Sequence, residues 1–380
     1  MNTTHLDDDL PLQGLLVLDL SQGIAGPHCG MILRQQGARV LKVEPPTGDW
    51  SRQMGRRRAG HTALSIAFNT GKESVVLDTR QPKERTALRC LAQQADVIIQ
   101  NYRPGVAARM GLDYADLAEL NPKLVYVSIS GYGPSGPFAD LPAIDTTIQA
   151  VTGLMGVNQD AGGTPRRINL YVVDMTTGLY AAQNVAAALY RVARGGRGRQ
   201  IEVSLIQTST VIQSYLLLDH ALFPNEAPKA FAAPTGLFNA TDGMVYVGML
   251  NDAMFERLCK VMGFDDWLAD PILQTSAGRI TRTAELNERL GAAISTLPLA
   301  HWTAAFEQSD ILFGRAHQTK DMLTHPQMKH LDWFQPLAIE GVGVLPWQGV
   351  PGNGQSQKPP GEAPLLGQHT ASVLAEFGLT

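Results

Sequence analysis

Leu15-Leu16-Val17-Leu18-Asp19-Leu20, then Gly23, Gly26, Pro27 and Gly30, then Gly37-Ala38-Arg39-Val40-Leu41-Lys42-Val43-Glu44 is the stretch that decides the fold. Leu15 to Leu20 is a short apolar run that reads as a buried strand. Pro27 to Gln36 reads as a helix with the proline in its first turn, where the missing N–H costs nothing. Gly37 stops that helix, and the β-branched run Arg39 to Glu44 predicts the next strand.

The same alternation continues outward. Ser74 to Leu77, Asp96 to Ile99 and Leu124 to Ser130 are three more strand candidates, with helical stretches between the last two. Strands alternating with helices predict parallel strands joined by crossover helices, a doubly wound α/β sheet. Met175 to Val192 is an Ala-rich helix, followed by the glycine-dense Arg194-Gly195-Gly196-Arg197-Gly198-Arg199, a solvated turn before a strand at Gln200 to Leu205. A distinct region begins near Leu222 with a linker carrying Pro224, Pro228 and Pro234 and runs to Pro326. It holds a strand at Met244 to Met249 and several helices. The Gly-, Pro- and Gln-rich Val350 to Pro364 reads as an extended surface segment, and Thr370 to Phe377 as a last helix.

Composition narrows the class. Of 380 residues, 44% are hydrophobic and 17% charged, which suits a globular enzyme rather than a disordered chain. A net charge of −4 argues against a duplex nucleic acid partner, which needs a dense basic surface. Cys29, Cys90 and Cys259 are too scattered for a disulfide framework or a Cys-type zinc site. Met1 to Leu10 carries Asp7-Asp8-Asp9 and lacks the basic and apolar regions of a signal peptide. No apolar run approaches the ~20 residues of a membrane span. A soluble cytoplasmic protein is expected.

Glycines after a first strand, with Glu44 about twenty residues further on, invite a dinucleotide reading. The spacing is not Gly-x-Gly-x-x-Gly, and Pro27 stands where a backbone N–H should face a pyrophosphate. A tight turn that lets something approach the backbone is the better reading.

Several strings share their order and spacing with one family. They are Leu18-Asp19-Leu20-Ser21, Ala25-Gly26-Pro27, Gly37 to Pro46, Gly48-Asp49, Asn69-Thr70-Gly71-Lys72, Leu77-Asp78, Asn101-Tyr102-Arg103-Pro104-Gly105, Asn121-Pro122 and Ser130-Gly131-Tyr132-Gly133-Pro134-Ser135-Gly136-Pro137. Ala363-Pro364-Leu365-Leu366-Gly367-Gln368-His369-Thr370 continues the likeness near the end. In these the chain resembles the family III CoA-transferases, strongly over roughly the first 205 residues and the last twenty. The resemblance implies a Rossmann-like large domain built from both chain ends, a smaller inserted domain, and an interlocked homodimer. On this chain that gives 1–221 as the N-terminal part of the large CoA-binding domain, 222–326 as linker and small domain, and 327–380 as the returning segment.

The resemblance also implies the chemistry. The family's nucleophilic aspartate falls on Asp174 in Val172-Val173-Asp174-Met175-Thr176-Thr177-Gly178. Taken alone, an Asp at the start of a helix reads as an N-cap. As a nucleophile it would exchange CoA between an acyl-CoA donor, succinyl-CoA being one possibility, and a carboxylic acid acceptor through an aspartyl-CoA thioester. No permanently bound cofactor or metal is implied; coenzyme A esters are substrates. Positions matching the family's CoA contacts are Ala25, Leu77 to Arg80, Asn101, Tyr102 and Arg109, where Arg80 and Arg109 suit phosphates. The family's glycine-rich loop for oxyanions corresponds to Val247-Gly248-Met249-Leu250-Asn251-Asp252, which has no glycine run. Arg56-Arg57-Arg58 reads as a solvated loop.

Other readings remain in view. His317, Asp321 and His325 would share one helix face as i, i+4 and i+8, but Pro326 breaks the helix there. Asp145 resembles a family acid and equally suits a cap for the helix after it. Racemases of 2-methylacyl-CoA place a histidine just before that acid, and here Ile144 stands in its place. A dehydratase or lyase on this scaffold, or a non-catalytic CoA-binding protein, are the remaining alternatives.

Overall fold

The computed structural model describes residues 10–160, 162–226, 230–353 and 358–379. Asp7-Asp8-Asp9, Pro228 and part of the Val350 to Pro364 tail lie outside the described residues. The chain divides into two compact units: the described residues of Met1–Tyr215 with Pro326–Thr380, and Leu216–His325.

The larger unit is built on six strands: β1 (Leu16–Asp19), β2 (Arg39–Glu44), β3 (Glu73–Val76), β4 (Val97–Gln100), β5 (Val125–Ser130) and β6 (Arg199–Ser204). Their order is β3-β2-β1-β4-β5-β6 and every pairing is parallel. That is the doubly wound order with its switch point between β1 and β4. Four helices matter for the site: α1 (Ala25–Gln35), α2 (Pro82–Gln94), α3 (Asp145–Val151) and α4 (Val172–Ala193).

Alternate residues of each strand enter different cores, as the two-residue period of a strand requires. Val17, Val97, Ile99, Val125 and Val127 pack with Cys29 and Leu33 of α1 and with Val173, Ala181 and Val185 of α4. Leu18, Leu41, Val75, Ile98 and Tyr126 pack on the other face with Leu88 and Leu91 of α2 and with Val373 of the returning segment. Covered on both faces, the central strands β1, β2, β4 and β5 are almost wholly buried, while the edge strand β6 keeps Arg199, Gln200 and Glu202 exposed.

The returning segment closes the free edge at β3. Ser74 donates its N–H to His369 Nδ1 at 3.1 Å, and Val76 donates to Thr370 Oγ1 at 2.9 Å. Gly71 donates to the Glu362 carbonyl at 2.7 Å, and Arg52 to the Pro364 carbonyl at 3.0 Å.

The smaller unit carries an antiparallel sheet of β7 (Gly236–Ala240), β8 (Gly243–Gly248) and β9 (Leu312–Arg315), in the order β9-β8-β7. Its core joins Val245 and Val247 to Phe255 and Leu258 of α5 (Asp252–Met262), Leu286 and Leu290 of α6 (Thr283–Ile294), and Trp302 and Phe306 of α7 (Leu299–Gln308). Arg279 is buried there over the Phe255 ring, and it donates to the carbonyls of Ala233 and Leu273 and to Asp252.

His317, Asp321 and His325 do not share an α-helical face. Thr319–Thr324 is a 3₁₀ helix, with three residues per turn, and both histidines lie outside it. Among the described residues no three His, Cys, Asp or Glu side chains are placed to share a metal ion, and no helix is long and apolar enough to cross a membrane.

Candidate active site

A cavity of about 650 Å³ opens in the larger unit at the carboxyl ends of the central strands. Gln22, Ile24 and Ala25 enter it from beyond β1, Asn101 to Pro104 from beyond β4, and Ile129 to Gly131 from the end of β5. Asp145 of α3, Asp174 of α4 and Tyr171 complete the wall. Ligands in open α/β sheets bind at this switch point, because the crossover helices diverge there and leave a crevice.

Asp174 is not the N-cap of its helix. That position belongs to Tyr171, whose side chain makes no cap bond, so Asp174 falls third in the first turn of α4. The cap comes from elsewhere: one Asp145 carboxylate oxygen accepts the Val173 N–H at 2.8 Å and the Asp174 N–H at 3.0 Å. Asp145 thus satisfies two free amides of α4, although it sits in the first turn of α3. Its other oxygen accepts from Gln149 Nε2 at 2.6 Å. Gln149 in turn holds the approach to α4, accepting from the Ile168 N–H at 2.9 Å.

Burial, and then the negative charge of Asp145, push the Asp174 carboxyl up from 3.8 to about 7. A carboxylate short of water and close to a like charge is raised in free energy, and so is more reactive as a nucleophile. The helix that carries it is pressed against α1. A Cβ at Gly178 would lie 2.5 Å from the Ala25 carbonyl oxygen and 2.9 Å from His28 Cβ. His28 Nδ1 lies 2.8 Å from the Met175 carbonyl, to which a neutral imidazole donates. Burial holds that imidazole below its usual pKa.

The turn after β1 is held from below by buried charges. Asp19 accepts from Lys72 Nζ at 2.8 Å, and Lys42 Nζ lies 3.1 Å from Asp49 while donating to the Ser21 carbonyl. Arg52 pairs with Glu44 through two bonds of 2.6 and 2.8 Å. The amides of Ser21, Gln22 and Gly23 are all taken, by Asp19, Asn101 and Asp49 respectively. A dinucleotide turn offers such amides to a pyrophosphate; here none of the three is free, so the tempting sequence likeness has no counterpart in hydrogen bonding.

Among the positions singled out from sequence, Ala25, Asn101, Tyr102 and Asp174 converge on the cavity. Leu77 is only 2% exposed and packs in the core with Val75 and Leu88. Arg80 is exposed and paired with Asp78 at 2.8 Å. Arg109 ends the short helix Val106–Arg109 on the surface. None of these three lines the cavity. Arg56, Arg57 and Arg58 are exposed, the last two pairing with His61–Thr62. In the smaller unit Asn251 caps α5, accepting from the Met254 N–H at 2.9 Å. Gln22, Arg103 and Tyr171 line the cavity without having been singled out. Arg103 stands inside the Asn101 to Gly105 motif, which was the signal available for it.

The sequence pattern of CoA-transferase family III matches residues 12–370. The chain is similar to an acetyl-CoA:oxalate CoA-transferase of Acetobacter aceti, at 32% identity over 99% of this chain and 98% of that one. It is similar to the human succinyl-CoA:glutarate CoA-transferase at 31% identity, over 96% and 86% of the two chains. A crystal structure of a CAIB/BAIF family protein from Brucella suis superposes with a TM-score of 0.85 at 29% identity, covering 97% of this chain and 100% of that one. The matched span takes in both flanks of the cavity and most of the returning segment, and the chain belongs to CoA-transferase family III, enzymes that transfer CoA.

Proposed function

We propose that the chain moves CoA from an acyl-CoA donor to a short dicarboxylic acid through Asp174. The observation that carries this reading is a carboxyl at the cavity wall whose pKa is pushed up to about 7 by burial and by Asp145. The acids named for similar proteins, oxalate and glutarate, are short dicarboxylates. Succinyl-CoA is the donor we expect, since it is named for the human relative.

In this reading an Asp174 oxygen attacks the thioester carbonyl and the C–S bond breaks, giving a mixed anhydride and CoA thiolate. The thiolate attacks the Asp174 carbonyl carbon and expels the donor acid as its carboxylate, leaving an aspartyl-CoA thioester. The acceptor carboxylate attacks the same carbon and expels the thiolate, which then takes the acceptor's acyl carbon and frees Asp174. Each addition builds an oxyanion that a nearby donor must stabilise. In this reading Ala25, Tyr102 and Arg103, which line the cavity, flank the thioester arm, and the exposed Arg109 offers a cation to CoA phosphates outside it, Arg80 being engaged by Asp78.

Proton exchange at the α-carbon, the racemase route, is disfavoured by Ile144. It lines the cavity directly before Asp145 and has no group that takes a proton. The proposal includes a homodimer. Leu179 and Tyr190 of α4 are large exposed apolar residues, and the helix Ser214–Leu222 has no buried residue although it carries four leucines. Apolar area of this kind is ordinarily covered by a partner.

The test is to add donor acyl-CoA without acceptor, then hydroxylamine, which converts an activated aspartyl carbonyl to a hydroxamate. Peptide mass mapping is expected to place the mark on Asp174. Asp174→Asn is expected to lose at least ~10³-fold in activity, as for a lost covalent catalyst. An unmarked Asp174 in an enzyme that turns over, with an active asparagine variant, overturns the mechanism.

A further inference from the structure

The turn Ser21 to Ile24 forms one wall of the cavity that also holds Asp174. Its geometry is fixed by side chains from three other segments. Asn101 closes a reciprocal pair with the main chain of Gln22: its Oδ1 accepts the Gln22 N–H at 2.9 Å, and its Nδ2 donates to the Gln22 carbonyl at 2.7 Å. Both Asp49 oxygens accept the next amide, that of Gly23, at 2.9 and 3.0 Å. Asp49 is itself fully buried and paired with Lys42, which also donates to the Ser21 carbonyl. Gly23 stands at φ +85°, and a Cβ there would lie 2.1 Å from the Trp50 ring. Gln22 is therefore held above and below, while its side-chain amide makes no hydrogen bond within the described residues and lines the cavity.

We infer that Asn101 is a positioning residue: its side-chain amide acts on CoA transfer through Gln22 rather than by contacting CoA. The chemistry of its amide supports this. Asparagine has one strong acceptor and one donor group, and both are engaged with the main chain of Gln22, on the peptide groups either side of its Cα. Such a pair fixes where the Gln22 side chain emerges, and Gln22 presents a donor amide to whatever carboxyl or oxyanion occupies the cavity. A buried ion-pair network under the turn resists reorganisation on binding, which is what preorganised donors need. The Gln100 side-chain oxygen accepts the Tyr102 N–H at 2.8 Å and so steadies the strand end that carries Asn101.

This inference rests on the reading of Asp174 as the nucleophile in the same cavity, and the experiment separates the two. Asn101→Ala, Gln22→Ala and the double variant are compared with wild type for CoA transfer, with Asp174→Asn as a control. Misplacing a reacting group's neighbour by about 1 Å costs on the order of 10- to 100-fold in kcat, and that loss is expected for Asn101→Ala with KM for the donor within about threefold of wild type. In the Gln22→Ala background the same change is expected to lower kcat by less than about threefold, the non-additivity of residues acting as a unit. Raised KM with unchanged kcat, full additivity in the double variant, or no effect of Asn101→Ala each overturns the inference. An active Asp174→Asn enzyme instead overturns the mechanism on which it rests, whatever the Asn101 series shows.

Discussion

At the scale of single residues, the proposed role of Asp174 sets reactivity against stability. Its carboxyl titrates near 7 in the fold against 3.8 ordinarily, so the folded state holds its proton over a window where the unfolded state has lost it. Stability therefore falls as pH rises from about 4 to about 7, and the full cost is present above that. Solvent reaches part of the carboxyl, so we expect Asp174→Asn to stabilise the fold by on the order of 2 kcal/mol at pH 8 and by much less at pH 4, measured by denaturant unfolding. In the proposed mechanism the opposite demand governs activity, since attack needs the anion. For the free enzyme, kcat/KM for the acyl-CoA should climb with pH through an inflection near 7 and level off above it. Asp145→Asn keeps an oxygen for the two amides and removes the neighbouring charge, so that inflection should move to lower pH. An inflection left in place would show that burial alone raises the group.

Among the elements, strands were the most legible. Arg39 to Glu44 was expected and observed with identical bounds, because glycine stops the preceding helix and a β-branched run follows it. Doubly wound connectivity also followed from alternation alone. What sequence could not show was which partner each end acquires. Asp174 reads as a cap from its neighbours, yet α4 is capped by Asp145 from 29 residues away, and nothing local encodes that. Lys42 and Glu44 stand in the predicted strand Arg39 to Glu44; only the folded sheet reveals both as buried against Asp49 and Arg52. Asn101 resembles a ligand contact by position, while its amide is turned to a peptide 79 residues back. The packing of α4 on α1 supports a prediction at this scale. Gly178→Ala must push the two helices apart, costing about 1–3 kcal/mol as overpacking does. Because Asp174 lies one turn earlier on the same helix, kcat should fall more than that loss of stability explains, read by pairing thermal melts with turnover below the melting range.

For the whole molecule, the homodimer proposal predicts sedimentation as a dimer at nanomolar concentration, with no active monomer on dilution. A folded, active monomer would refute it. The larger unit is discontinuous, closed at β3 by residues that follow the smaller unit. Ending the chain at Gly352 should leave that edge uncovered, and we expect an aggregating product rather than a weakened enzyme, scored by size-exclusion chromatography. The same closure has a consequence for biosynthesis. Ser74 leaves the ribosome 295 residues before His369, the partner of its amide. At about 5–20 residues per second, β3 waits roughly 15–60 s with its edge unpaired, longer than many domains need to fold. Throughout that interval the nascent chain carries an open sheet edge in a crowded compartment, so the yield of active enzyme should respond to chaperone supply and translation speed more than its finished stability suggests.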